Sequence, residues 1–245
     1  MLTARNLTVT YPDGGRGVED VSFDIESGES VALAGGNGAG KTTLLLALVG
    51  ILPAKAGSVE VGGLRFSKEN RVEYRRAVGL VFQNPDDMLF MPRALDDIMF
   101  GPRNLGLSET EARQRAYEVI TELGIDHLAE RSPLKLSGGE KRMAGLAAVL
   151  AMRPSALLLD EPTAFLDPRA RRVLIRALER LPQAKLIATH DLAFAGALCS
   201  RALLLKEGRL YADGPRDDLF RDERLMDECG LEASLPIPAA GVYWR

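Results

Sequence analysis

The segments 31-VALA-34, 35-GGNGAGKTT-43 and 44-LLLALVG-50 put an apolar run, a glycine-rich loop and a second apolar run in direct succession. Glycine loses more backbone freedom on ordering than any other residue, so a loop this rich in it needs a structural purpose. The spacing from Gly35 to Gly40-Lys41-Thr42 is G-x-x-x-x-G-K-T, and with a strand before and a helix after it predicts a phosphate-binding P-loop. In such a loop Gly35, Gly36, Asn37, Gly38, Ala39 and Gly40 turn successive N–H groups inward around phosphate oxygens. The helix opening near Lys41 adds the positive end of its dipole. Lys41 is expected to reach the β- and γ-phosphates, Thr42 to offer its hydroxyl to Mg²⁺, and Thr43 to hydrogen-bond the α-phosphate. The motif alone specifies a nucleoside triphosphate and leaves kinases, GTPases and transport ATPases open.

The rest of the chain narrows the choice. Its 245 residues, 46% hydrophobic and 27% charged, suffice for one sizeable core with a subdomain. A formal net charge of -3 argues against a dedicated nucleic-acid protein, which would carry a basic face. Apolar runs such as 44-LLLALVG-50 fall short of the roughly 20 residues of a membrane-spanning helix, and the start at Met1 does not read as a signal peptide. Any membrane role is therefore expected to run through a partner. Cys199 and Cys229 form neither a disulfide framework nor a C-x-x-C metal site, which fits a reduced, cytosolic setting.

Alternating residues at 5–14 and 18–29 predict two antiparallel strands joined by a Pro12-Asp13-Gly14 turn. A glycine-punctuated strand pair follows at 57–66, and the run 78-VGLVFQ-83 reads as a strand covered on both faces. From about Arg93 to Pro154 the pattern turns helical. Its segment 108–124 opens with a Ser-x-x-Glu capping box and stops at Gly124. Strands return at 156–160, 184–189 and 201–208, with a helix after Pro168. Alternating strands and helices imply a parallel α/β core. The expected fold class is thus an α/β P-loop NTPase with a parallel core sheet, an N-terminal antiparallel β subdomain and an inserted helical subdomain at about 93–154. The domain is expected to span 1–232, and 233–245 reads as a tail.

The segment 156-ALLLDEPT-163 is an apolar strand ending in two carboxylates, where an open α/β sheet binds its ligand. Asp160 is expected to hold Mg²⁺, and Glu161 to polarise the water that attacks the γ-phosphate. In 136-LSGGE-140, Ser137, Gly138 and Gly139 present backbone N–H groups at a helix N-terminus, a second anion site. A nucleotide already cradled by the P-loop needs no such site from its own chain. A head-to-tail dimer, each signature loop clamping the nucleotide of the other chain, uses both.

Taken in order, GGNGAGKTT, Gln83, LSGGE, LLLDEPT, 166-LDP-168 and 189-THD-191 resemble the ATP-binding cassette ATPases over about residues 2–215. The resemblance implies a stacking role for Tyr11 against adenine. It makes Gln83 the Q-loop glutamine that touches Mg²⁺ and senses the transporter, Asp167 the aspartate that crosses the dimer interface, and His190 the switch histidine at the γ-phosphate. His127 is expected to be a surface residue. A narrower likeness in 82-FQNPDDMLF-90 and 95-LDDIMFGPRNLGLSETE-111 is to ATPases of energy-coupling factor transporters, in particular the cobalt and nickel uptake branch. It implies an ATP- and Mg²⁺-dependent subunit peripheral to the cytoplasmic face of the membrane, in a homodimer or heterodimer, docked on an integral membrane partner through Gln83–Leu105. No nucleic-acid partner is implied.

Within that docking segment Met88, Leu89, Phe90, Met91, Ile98, Met99 and Phe100 are expected to form an exposed apolar groove. Three residues depart from the family pattern: Met88 stands where glutamine is usual, Phe165 where a small residue is common, and Gly36 where proline or serine is frequent. A vitamin or another solute is the alternative cargo. DNA-repair, translation-associated and non-enzymatic cassette proteins are disfavoured by the absence of a coiled-coil insertion, of a second cassette, and of any loss of Lys41 or Glu161.

Overall fold

The computed structural model describes residues 1–11 and 15–232, so the Pro12-Asp13-Gly14 turn and the tail 233–245 lie outside the described residues. In chain order the elements are β1 (Leu2–Thr10), β2 (Arg16–Ile25), β3 (Ser30–Ala34), α1 (Lys41–Leu48), β4 (Ala56–Val61), β5 (Leu64–Arg65), α2 (Arg71–Ala77) and β6 (Val78–Val81). There follow α3 (Ala94–Asn104), α4 (Glu109–Leu123), α5 (Gly138–Leu150), β7 (Ala156–Asp160), α6 (Pro168–Arg180), β8 (Ala184–Ala188) and α7 (Leu192–Leu198). The last are β9 (Arg201–Lys206), β10 (Arg209–Pro215), α8 (Arg216–Arg221) and α9 (Glu223–Glu228).

The chain divides into two compact units. The first comprises Met1–Leu80, Ser155–Glu161 and the chain from Leu181 onward. It holds an antiparallel sheet ordered β2-β1-β4-β5 and a six-stranded sheet ordered β10-β9-β3-β8-β7-β6. Strands β9, β3, β8 and β7 run parallel, as the alternating pattern predicts, and β10 adds an antiparallel edge. The strand pair expected at 57–66 is the β4/β5 hairpin, turned by Gly62 and Gly63 with φ of 58° and 83°. Both lie in the left-handed region that two-residue hairpin turns demand.

The P-loop helix α1 contacts β1 and β2 of the antiparallel sheet and β7 of the core sheet. Leu44, Leu45 and Leu48 are fully buried, each contributing about 1.5–3 kcal/mol of apolar burial. This explains why the segment is apolar all round rather than striped. At its C-terminal end the last carbonyls find partners on α2: Tyr74 Oη donates to Leu48 O at 2.8 Å and Arg75 Nη2 to Gly50 O at 2.6 Å.

The second unit comprises Val81–Pro154 and Pro162–Arg180. It is built on α3, α4, α5 and α6, with α3, α4 and α5 in mutual contact and α6 against α5. Helix α4 carries both halves of the predicted capping box, Ser108 with Glu111, and ends on Gly124 at φ 68°. The unit begins at Val81, ahead of the purely helical stretch, because residues 82–88 are held by α5. Lys141 Nζ meets Asp86 Oδ1 at 2.5 Å, and the Met88 sulfur lies against Gly145.

The apolar groove expected across 84–105 is corrected by burial. Leu89, Ile98 and Met99 are core residues of this unit and Met88 is half-buried on α5. Phe90 and Phe100 do lie outside, 62% and 40% exposed, with rings edge to face at 5.0 Å. Asp97 is buried beneath them and accepts the N–H groups of Phe90 and Met91 at 2.9 and 3.0 Å.

Candidate active site

In the first unit β3 ends at Ala34 and the chain enters the glycine loop. A Cβ on Gly35 would lie 2.3 Å from Leu205 O, and one on Gly40, at φ 101°, would lie 2.8 Å from Gly17 O. Neither position has room for a side chain, whereas Gly38, at φ 77°, faces open space. Lys41 folds back over the loop and donates to Gly35 O at 2.7 Å and Gly36 O at 3.2 Å. Burial pushes its ammonium below the usual lysine range, partly offset by Glu161 and Asp160.

The neighbouring hydroxyls are also engaged. Thr42 Oγ1 donates to Asp160 Oδ2 at 2.8 Å, bringing together two hard oxygen donors of the kind Mg²⁺ takes. Thr43 Oγ1 and Tyr11 Oη share a hydrogen bond of 2.6 Å, which fixes the tyrosine beside the P-loop helix. The tyrosine is 36% exposed there.

Beyond β7, Glu161 adopts φ 41°, a left-handed conformation that costs a non-glycine residue of order 1–3 kcal/mol. Its N–H donates to Ala188 O at 2.8 Å. The carboxylate is buried, and Oε2 accepts from Thr189 Oγ1 at 3.2 Å and from the His190 N–H at 3.4 Å. His190 Nδ1 lies 2.9 Å from Glu161 Oε1 and its ring is largely exposed. A held carboxylate beside a histidine, a lysine and a glycine cradle can orient a water against a phosphoryl group. A cavity of about 570 Å³ is lined by Gly35, Gly36, Asn37 and His190 together with Gly230 and Glu232.

The remaining sequence-predicted residues belong to the second unit. Ser137 is the N-cap of α5, and the Glu140 carboxylate accepts the Ser137 N–H at 2.8 Å. The expectation that Ser137 offers its N–H to an anion is thereby corrected: the donors left at this terminus are those of Gly138 and Gly139. That hydrogen bond also holds the Glu140 carboxyl below its ordinary range. Asp167 caps α6 by accepting the Ala170 N–H at 2.8 Å. A cavity of about 530 Å³ joins Ser137, Gly139, Glu140, Asp167 and Arg169. Just before it, Phe165 is 88% exposed at φ 63°. His127 is exposed, as expected.

Gln83 is fixed through its backbone. Arg142 of α5, only 1% exposed, donates through Nη1 to Phe82 O and through Nη2 to Gln83 O, both at 2.6 Å. Sequence reasoning missed Arg142. It follows Glu140 and Lys141 in the first turns of α5, and nothing local marks it as the buried member of that charged run.

A profile of the ABC transporter family matches residues 18–164. A Geobacter sulfurreducens protein named only as an ABC transporter ATP-binding protein is 44% identical over all of this chain and 98% of its own length. The energy-coupling factor transporter ATP-binding protein EcfA of Methanothermobacter thermautotrophicus is 41% identical over 94% of this chain and 76% of its own. Among solved structures, CbiO1 of Clostridium perfringens, part of the ABC transporter complex CbiONQ, superposes with a TM-score of 0.82 at 33% identity, covering 93% of each chain. A dimeric bacterial ABC transporter cassette gives 0.77 at 26% identity over 88% of this chain and 99% of that one. The glycine cradle with Lys41, the paired carboxylates at the end of β7 and these matches carry one conclusion: the chain belongs to the ABC transporter family, as an ATP-hydrolysing ATP-binding subunit.

Proposed function

We propose that this chain energises an importer of the energy-coupling factor type that moves cobalt or nickel ions. The observation that carries the chemistry is the convergence of Lys41, Thr42, Asp160, Glu161 and His190 around one glycine cradle. The likeness to EcfA and CbiO1 supports the importer branch. In this reading the loop Gly35–Thr43 holds the phosphates, all but the Gly36 N–H, which the sequence pattern placed in the cradle and which donates to Cys229 O at 2.8 Å instead; Tyr11 stacks on adenine, and Thr42, Asp160 and Gln83 hold Mg²⁺. The ion, when bound, neutralises charge on the β- and γ-phosphate oxygens. Lys41 neutralises the γ-phosphate, Glu161 takes the proton of the attacking water, and His190 orients that water.

Two chains pair head to tail, so that Ser137, Gly138 and Gly139 of one close over the nucleotide of the other and Asp167 lies at the seam. Loss of the γ-phosphate then favours the open dimer, a shift in population driven by the ligand. The exposed Phe90–Phe100 pair is the contact for an integral membrane partner at the cytoplasmic face. The test is uptake of ⁵⁷Co²⁺ or ⁶³Ni²⁺ into vesicles carrying the chain with its membrane partner. ATP-dependent accumulation that the Glu161→Gln chain cannot drive supports the reading. Accumulation of a vitamin in place of either metal would redirect it to the alternative cargo.

A further inference from the structure

The P-loop is held from a part of the chain that carries no nucleotide motif. Helix α9 opens on Asp222, whose side chain accepts the Leu225 N–H at 2.9 Å. It closes with a left-handed Gly230 at φ 68°, the Leu231 N–H returning to Met226 O at 2.9 Å. This is the geometry of a glycine-terminated helix end, in which the last carbonyls of the helix are satisfied by the residues after it. Met226 and Cys229 are buried, and the Tyr211 hydroxyl of β10 donates to Glu228, so the helix is anchored by burial and by a side-chain hydrogen bond. The carbonyl it presents, that of Cys229, accepts the Gly36 N–H at 2.8 Å.

Fit at this point is close. A Cβ on Gly36 would lie 3.2 Å from Cys229 O and 3.3 Å from Gly230 O, so any side chain there would press on the helix end. Gly36 also supplies one of the two carbonyls that receive Lys41 Nζ. A path of two hydrogen bonds thus runs from the end of α9 through the Gly36 main chain to the Lys41 ammonium. The helix end also reaches the cavity beside the glycine loop, since Gly230, Leu231 and Glu232 line it together with Gly35, Gly36 and His190.

We propose that α9 with its glycine cap is a brace for the ATP site, in which Cys229 and Gly230 are positioning residues that hold the first turn of the P-loop and set the place of Lys41. The proposal rests on the reading of residues 35–43 as the ATP cradle. It makes ATP affinity depend on a segment near the other end of the described chain, because one main-chain hydrogen bond, from Gly36 to Cys229, preorganises the loop.

The experiment compares the full chain, a chain ending at Arg221, and Gly230→Val, which forces a β-branched residue into a left-handed, exposed position. Amide exchange at Gly36 and the ATP Kd by calorimetry are measured, with thermal unfolding as the check on folding. The brace predicts at least tenfold faster exchange at Gly36 in both variants and a Kd weakened about fivefold to tenfold, the worth of one hydrogen bond. Faster exchange with an unchanged Kd overturns it, as does unchanged exchange at Gly36. If the chain ending at Arg221 does not fold, Gly230→Val alone decides, since its exposed site spares the core. No ATP binding by the full chain would instead overturn the cradle reading on which the brace depends.

Discussion

Replacing Arg142 by methionine tests whether a buried cation holds the segment after β6 in place. The guanidinium makes two hydrogen bonds of 2.6 Å to the consecutive carbonyls of Phe82 and Gln83. Bonds to a charged group contribute about 1.5–3 kcal/mol each, so the pair is worth roughly 3–6 kcal/mol before compensation. Methionine keeps much of the volume and relieves the cost of burying a charge, which returns part of that sum. The expected net loss is about 2–4 kcal/mol in urea unfolding followed by far-UV circular dichroism. Arg142→Lys preserves the charge but not the planar fork, and is expected to recover no more than half of the loss. Because Gln83 is displaced, transport should fall further than the ATPase of the isolated chain. A methionine variant within 0.5 kcal/mol of the parent, at equal m-value, would refute the anchoring role.

Other consequences are simpler to read. Lys41→Ala is expected to abolish nucleotide binding measured by calorimetry, whereas Glu161→Gln keeps binding and lowers turnover at least a hundredfold; unchanged turnover removes Glu161 as the catalytic carboxylate. With ATP, the Glu161→Gln chain should dimerise in light scattering and lose that dimer on adding Ser137→Arg, and a monomer at saturating ATP counts against self-pairing. Phe100→Glu should leave the ATPase of the isolated chain near its parent value yet uncouple it from uptake, and equal loss of both activities would mark a folding role. Burial raises the Asp97 carboxyl above the usual aspartate range, the Phe90 and Met91 N–H groups offsetting only part of that. The folded state then holds that proton more firmly than the unfolded chain, so its contribution to stability falls as pH rises through the folded pKa. Asp97→Asn should therefore gain on the parent as pH rises above the ordinary aspartate value of 3.8 and not below it; a pH-independent difference contradicts the assignment.

What the sequence made legible follows from how locally each feature is specified. The P-loop, the capping box of α4 and the β4/β5 turn are each set within a few residues by backbone geometry, and all three stand where the pattern placed them, whereas the capping box of α5 was not anticipated. Helix α2 left no periodic signal because only Tyr74 is buried on it. Strand β10 is half-exposed along its length, so it carries no apolar run. The groove at 84–105 was misjudged for a related reason. Methionine and phenylalanine serve a core and a docking face equally well, and spacing cannot say which side of α3 the rest of the unit will cover. Arg142 was hidden by the opposite habit, since charged residues in helices usually lie in water.

Glu161 and His190 show how residues distant in sequence become neighbours through strand register. Asp160 pairs with Ala188 across β7 and β8, so the next residues in each strand, Glu161 and Thr189, emerge side by side at the C-terminal edge of the sheet. The Glu161 N–H then closes on Ala188 O, and the carboxylate meets Thr189 and His190. In a parallel sheet a shift of one residue would exchange faces and send Glu161 away from the P-loop. The strained φ of Glu161 is sustained by these bonds rather than by its own preference. Glutamine keeps the same backbone demand and an acceptor oxygen for Thr189, and removes the capacity to take a proton together with the charge that faces Lys41 and His190. Loss of turnover in that variant with ATP affinity retained therefore speaks to the chemistry of the carboxylate and not to the fold that presents it.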